Sequence, residues 1–273
     1  MALTTAIGML LYPGLALVLV LGLALRRLVG DAQFRTWPNI GAAVRQGDGL
    51  VALTSIALAT VGVGCAPLPF SPIQVPVLSG WSLLAWLALE AAFLAPALMA
   101  MLAPSVITQR AASRDMQIGL AGRVVVWAVI GALAGAAPLG ALGLLGRVLL
   151  LLGGLLALPA AAGLGPFAPE QTIAQAGAES GLDERTAGLL RFARSVRAAA
   201  VLAVLVAVAL APFALRPVIA LLIAVALLLV VGFALRALVR RPLFTLPSAL
   251  RWCWTRALPV ALIGLVMVVL VEG

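Results

Sequence analysis

Eight long apolar runs separated by polar segments organise this chain, near 3–25, 50–66, 79–103, 117–137, 140–163, 198–215, 217–236 and 255–271. Each reaches or approaches the roughly 20 residues that an α-helix needs to cross a hydrocarbon core about 30 Å thick. Backbone inside lipid must satisfy its own hydrogen bonds, so the runs are predicted to be helices. The expected fold is all-α: a polytopic membrane protein forming a single transmembrane domain over 1–273, with about eight spans.

Charge orients the bundle. All 18 basic residues are arginines, and 15 of them fall in alternate loops. One side holds Arg26, Arg27, Arg35 and Arg45, then Arg110 and Arg114, then Arg185, Arg191, Arg194 and Arg197, and last Arg236, Arg240, Arg241, Arg251 and Arg256. The other side has only Arg216, while Arg123 and Arg147 lie within spans. The positive-inside rule makes the arginine-rich side cytoplasmic, and an even number of spans puts both termini on the opposite side. The first run lacks a preceding basic region and exceeds a signal-peptide core, so it is expected to be a retained span.

Composition agrees: 64% of the 273 residues are hydrophobic, 10% are charged, and mean hydropathy is +1.20. The net charge of +9 is explained by arginines at helix ends facing anionic headgroups, without nucleic acid. Histidine is absent, which removes the usual haem ligand and the commonest general base. Cys65 and Cys253 are far apart, near opposite faces, and form no zinc or disulfide pattern. No phosphate loop, metal-ligand cluster or nucleophile–base pair can be assembled, so no catalytic residue and no metal site is expected in this chain. Internal repeats, the mark of many transporters, are not evident.

The candidate chemistry lies within the membrane and on the arginine-rich side. Glu90 falls near the centre of the third span, where an ionisable side chain costs at least about 2.5 kcal/mol and usually faces the bundle interior. Arg147 is predicted at broadly similar depth and could neutralise it, as a structural ion pair or as part of a proton relay. Arg123 lies about two turns inside the fourth span, within snorkelling reach of the interface. Glu179 and Asp183 share a helix face at i,i+4, followed by Arg191 and Arg194 at i,i+3. Such a segment is either a solvated face or a partner contact. Arg35, Asp48, Arg114 and Asp115 lie on neighbouring loops and either form a polar cluster through forked arginine–carboxylate bonds or, for the last two, simply end a helix. Trp252 and Trp254 are expected as interfacial anchors, and Gly131, Gly135, Gly153 and Gly154 as sites of close helix packing.

Four short elements carry a resemblance. Ser113-Arg114-Asp115-Met116 is similar to a Ser-Arg-Glu-Met element, and Arg35-Thr36-Trp37-Pro38-Asn39, with Gln46 and Asp48 beyond it, resembles an Arg-x-Gly-Pro-Asn pattern. Pro166-Phe167-Ala168-Pro169-Glu170 resembles Pro-Phe-Asp-x-Pro-Glu, with Glu179-Ser180-Gly181 resembling Glu-Tyr-Ser-Gly after it. Arg251, Trp252, Trp254 and Pro259 match an arrangement entering a last helix. In this order they resemble, over essentially the whole chain, the membrane subunit that seats the redox arm of respiratory complex I and lines its quinone chamber. They equally resemble its counterpart in energy-converting membrane-bound nickel–iron hydrogenases of the formate hydrogenlyase type.

The resemblance implies a subunit that is not catalytic alone, in a multi-subunit oxidoreductase of the inner cell membrane. It would dock soluble iron–sulfur and hydrogenase-like subunits on the cytoplasmic side, contact antiporter-like membrane subunits, and couple electron transfer to proton translocation. This chain would hold no cofactor, with quinone at its interface and iron–sulfur or nickel–iron centres in its partners. Glu90, Arg147, Arg123, Glu170, Glu179 and Asp183 would be proton-path candidates, and Arg35, Asn39, Gln46, Asp48, Arg114 and Asp115 would line the chamber mouth or docking face. Departures are specific: Ala168 replaces an aspartate, the tyrosine before Ser180 is missing, and Arg123 stands where the family usually has a glutamate. They thin the acidic path. Two other readings stay open: a proton-coupled small-molecule permease with Glu90 and Arg147 as its polar core, and a structural anchor that has lost quinone binding.

Overall fold

The computed structural model describes residues 14–29, 48–66, 68, 80–135, 140–168, 182, 184–213, 216–239 and 243–272. All regular structure among them is helical. The helices are α1 (Leu15–Val29), α2 (Asp48–Gly64), α3 (Gly80–Met101), α4 (Val106–Gly135), α5 (Gly140–Ala161), α6 (Glu184–Leu210), α7 (Pro217–Val239), α8 (Leu246–Trp252) and α9 (Leu258–Glu272). A π-helical turn, Cys253–Ala257, joins α8 to α9 without a break. Among the described residues, six helical stretches are long and apolar enough to cross a membrane. The protein is a multi-pass membrane protein. The described parts of α1 and α2, 15 and 17 residues long, occupy the first two predicted spans.

Three boundaries differ from expectation. Helix α4 begins at Val106 rather than near 117, α6 at Glu184 rather than near 198, and the last helical rod at Leu246 rather than near 255. The segments added to α4 and α6 are charged but hold no proline and are rich in alanine, arginine and leucine, all good helix formers. Hydropathy marks where lipid ends, and a helix need not end there. At 1.5 Å per residue α4 is about 45 Å long, half as long again as the hydrocarbon core.

Helix α6 is the hub, packing against α1, α2, α3, α4, α5 and α7. Its buried face, including Val196, Ala199, Leu202 and Leu205, forms the centre of the main core. Around it α5 packs closely on α4 and α9, and α2 on α3. Glycine permits the closest approach: a Cβ on Gly122 would lie 2.3 Å from the Ala161 nitrogen, and one on Gly153 would lie 2.8 Å from Ala261. Gly131 and Gly135, expected at a packing seam, face open space instead. Large apolar side chains on α7 and α9, among them Leu222, Phe233, Val266 and Leu270, stay exposed within the chain. Lipid is an equally apolar surrounding for them.

After α5 the chain turns sharply into a 3-10 turn, Gly165–Phe167. Gly163 and Gly165 both have positive φ, 62° and 61°, a region that other L-residues rarely enter. The turn buries Phe167 completely.

Candidate functional site: a buried charge network below an arginine-lined cavity

Three polar centres lie along the bundle. The middle one begins with Glu90 on α3. Its carboxylate accepts from Arg123 Nε at 3.0 Å and from the indole N–H of Trp127, both on α4. Arg123 and Trp127 are four residues apart on α4 and so project from one helix face. Phe93, one turn after Glu90, lies with its ring centroid 5.0 Å from the Arg123 guanidinium carbon and 5.3 Å from that of Arg197.

Arg197, on α6, extends the network across to α2. Its Nη1 donates to Ser55 Oγ at 2.9 Å and to the Ala92 carbonyl at 3.2 Å, and Ser55 Oγ donates to the same carbonyl at 2.8 Å. Proline explains the focus on Ala92. Pro96 lies inside α3 and has no N–H to give the carbonyl four residues back. In a membrane that freed carbonyl must find another donor, and α2 and α6 each supply one.

The geometry corrects three expectations. Glu90 pairs with Arg123, not Arg147. Arg123 does not snorkel to the interface but is buried at 5% exposure, because the Glu90 carboxylate offers a partner inside. Arg197, expected in a loop, lies within the bundle. Arg147 itself belongs to a second centre at the opposite end of α4 and α6, where it donates to the carbonyls of Leu133, Val208 and Ala209 at 3.1, 3.4 and 3.1 Å and stacks over Phe213. These carbonyls end two helices, where the helix dipole is negative and a cation is favoured. The polar core imagined for a permease, Glu90 with Arg147, is therefore not assembled.

The third centre sits at the arginine-rich end. Arg114 Nη2 donates to the Phe244 carbonyl, and the Phe244 N–H donates to the Pro166 carbonyl at 2.9 Å. The rings of Phe167 and Phe244 meet edge-on with centroids 5.1 Å apart, and Trp252 lies 6.0 Å from each. The Trp252 indole N–H bonds to the Leu156 carbonyl at 2.9 Å, and the Arg256 guanidinium carbon lies 4.8 Å from the Trp252 ring centroid. Trp252 is thus more than an interfacial anchor. Three of the elements that carry the resemblance, around Arg114, Phe167 and Trp252, meet here although they are far apart in the chain.

Asp115 lines two adjoining pockets. A cavity of about 500 Å³ between α3, α4 and α6 is lined by Asp115, Arg194 and Arg197 together with mainly apolar side chains. A smaller pocket beneath it shares these three residues and Phe93 and reaches Arg123. Asp115 and Arg194 interact electrostatically. The cavity is a credible ligand site by size. Among the described residues no three metal-ligating side chains come together.

The remaining candidates are partly or wholly outside this description. Asp48 opens α2, but its side chain is not described, and Arg35, Asn39, Gln46, Glu170, Glu179 and Asp183 all lie outside the described residues. Sequence reasoning missed Ser55, Phe93, Trp127 and Arg197 as site residues and read Arg194 only as part of a solvated or partner-contacting segment. Two signals were present: Phe93 and Trp127 stand one helical turn from Glu90 and Arg123, and Arg197 directly precedes an unbroken apolar run.

No protein-family model and no curated protein matches the chain. Its fold is nevertheless similar to that of a chain in the solved structure of the membrane-bound sulfane sulfur reductase, an archaeal respiratory membrane complex. The TM-score is 0.58 at 19% sequence identity, over 98% of this chain and 96% of that one. The fold is therefore shared with a chain of a respiratory membrane complex over essentially its full length.

Proposed function

We propose that the protein is the membrane subunit of a complex I-like or membrane-bound-hydrogenase-like oxidoreductase in the inner cell membrane. It seats a soluble iron–sulfur arm on its arginine-rich, cytoplasmic face, with both termini on the other side, and couples electron transfer to proton movement through antiporter-like membrane neighbours. The observation that carries this reading is the likeness in fold, across 98% of the chain, to a chain of a respiratory membrane complex. It is supported by the meeting of Arg114, Phe244, Phe167 and Trp252 at one end of the bundle. These residues brace the loops on which an arm would rest.

In this reading Arg123 has a definite consequence. The carboxylate of Glu90 already has a cationic partner, Arg123 Nε at 3.0 Å, and a second donor in Trp127, which fits a structural ion pair inside the bundle. In this reading proton transfer would use Asp115 and the segment holding Glu170, Glu179 and Asp183, with Glu90 and Arg123 bracing the bundle as a pair. Any quinone would bind at the interface with the arm, and iron–sulfur or nickel–iron centres would belong to the partners.

The test is a mild-detergent pull-down of the tagged native protein, with mass spectrometry of its companions and metal analysis of the eluate. Iron–sulfur proteins with large antiporter-like subunits are expected. Nickel would select the hydrogenase form, and a stable, metal-free, solitary protein would overturn the assignment. Reversing Glu179 and Asp183 to arginine is expected to release the soluble arm while leaving the membrane partners attached.

A further inference from the structure

The cavity between α3, α4 and α6 has features, beyond Asp115, that neither docking nor proton movement uses. Its wall is two-sided: Phe93, Met99 and Leu102 stand among the apolar residues, and Arg194 and Arg197 among the polar ones. The charged lining consists of two guanidiniums and one carboxylate, Asp115, which complements an oxyanion. Thr108 also lines it. Thr108 is 3% exposed, yet its Oγ1 has no hydrogen-bond partner among the described residues. A buried hydroxyl left unsatisfied is unfavourable, and a bound acceptor removes that cost.

The rim shows where the ligand comes from. Leu102 belongs to the lining and is 86% exposed, and Leu98, Val106 and Ile107 beside it are exposed as well. Among the described residues this rim is apolar where α3 ends and α4 begins, which suits an acyl chain leaving toward lipid. A volume of about 500 Å³ falls within the range of sites for drug-sized ligands. It has room for a headgroup and part of one acyl chain.

We propose that this cavity binds an anionic membrane amphiphile, with its oxyanion head at Arg194, Arg197 and Thr108 and its acyl chain leaving past Leu102. Guanidinium is suited to the head because it forks to two oxygens of a phosphate or carboxylate. The rest of the amphiphile replaces water against apolar wall. Arg197 is also bonded to Ser55 and Ala92, so a head seated on it would be linked to three helices at once.

Lipid retention tests the proposal. The full chain, or the complex that carries it, is purified in mild detergent and loaded with phosphatidylglycerol or phosphatidylcholine. Each sample is exchanged into lipid-free detergent and weighed by native mass spectrometry. Wild type is expected to keep one phosphatidylglycerol and no phosphatidylcholine. Ala100→Trp, which fills the cavity, and Thr108→Val are each expected to reduce retention at least about five-fold, with the same elution volume and melting temperature in the absence of lipid. Thr108→Val alters no bond seen in the structure and serves if the tryptophan variant does not fold. Equal retention by wild type and the folded variants would overturn the proposal, as would equal retention of the two lipids. Inorganic phosphate supplies the last arm: if it raises the melting temperature while phosphatidylglycerol is not retained, the ligand is a soluble anion and the membrane source is wrong.

Discussion

Glu90 and Arg123 hold each other inside the bundle, and the cost of separating them is asymmetric. Removing one partner of a buried pair leaves an uncompensated charge and costs about 3–5 kcal/mol, whereas replacing both by apolar groups is often close to neutral. Arg123→Met should therefore lower stability in detergent sharply, and Glu90→Met combined with Arg123→Met should recover most of the loss; chemical unfolding of both variants checks this. A single variant as stable as wild type would show the pair to be solvated. Ser55 offers a second test. Its hydroxyl serves a carbonyl that Pro96 deprives of its helical donor. Ser55→Ala is expected to cost about 1 kcal/mol, the net worth of a typical hydrogen bond. In a Pro96→Ala background the helix itself can satisfy Ala92, so the cost of Ser55→Ala should shrink. An unchanged cost in that background would detach Ser55 from the proline.

Helix contacts discriminate between glycines that look alike in sequence. Gly122 meets the Ala161 backbone, so Gly122→Ala should push α4 from α5 and cost about 1–3 kcal/mol by overpacking. Gly131 on the same helix faces open space, so Gly131→Ala should be neutral or slightly stabilising through helix propensity, by up to about 1 kcal/mol. Melting temperatures of the two variants, measured side by side, should move in opposite directions or by clearly different amounts. The π-turn Cys253–Ala257 has its own reason. Pro259 cannot donate to the carbonyl of Thr255, and its ring crowds that turn; widening the helix there relieves the crowding while keeping the rod continuous. The same turn carries Arg256 onto Trp252. Nothing in the hydropathy of the last span announces it.

The molecule as a whole is a bundle wrapped on α6, with its charges graded by position rather than scattered. In the proposed orientation, a periplasm-active reporter such as alkaline phosphatase fused after Gly273 is expected to be active, while a fluorescent protein that matures only in the cytoplasm should stay dark. The opposite result would invert the docking face. Much of this architecture was legible in the chain itself: spans of sufficient length, their helical character and the inward facing of an ionisable residue at Glu90 follow from the transfer free energy of side chains and backbone into lipid, which is a property of each segment taken alone. Element ends were less legible, because α4 and α6 continue into charged sequence where propensity, not hydropathy, decides. Only tertiary structure could choose among partners. Arg123 and Arg147 both stood within reach of Glu90 by predicted depth, but the folded bundle sets Arg123 on the carboxylate and Arg147 at the opposite end of α4 and α6, on the carbonyls of Leu133 and Ala209. Whether a segment enters lipid is written in the sequence one segment at a time, whereas the depth and facing of a given side chain depend on every neighbouring helix at once.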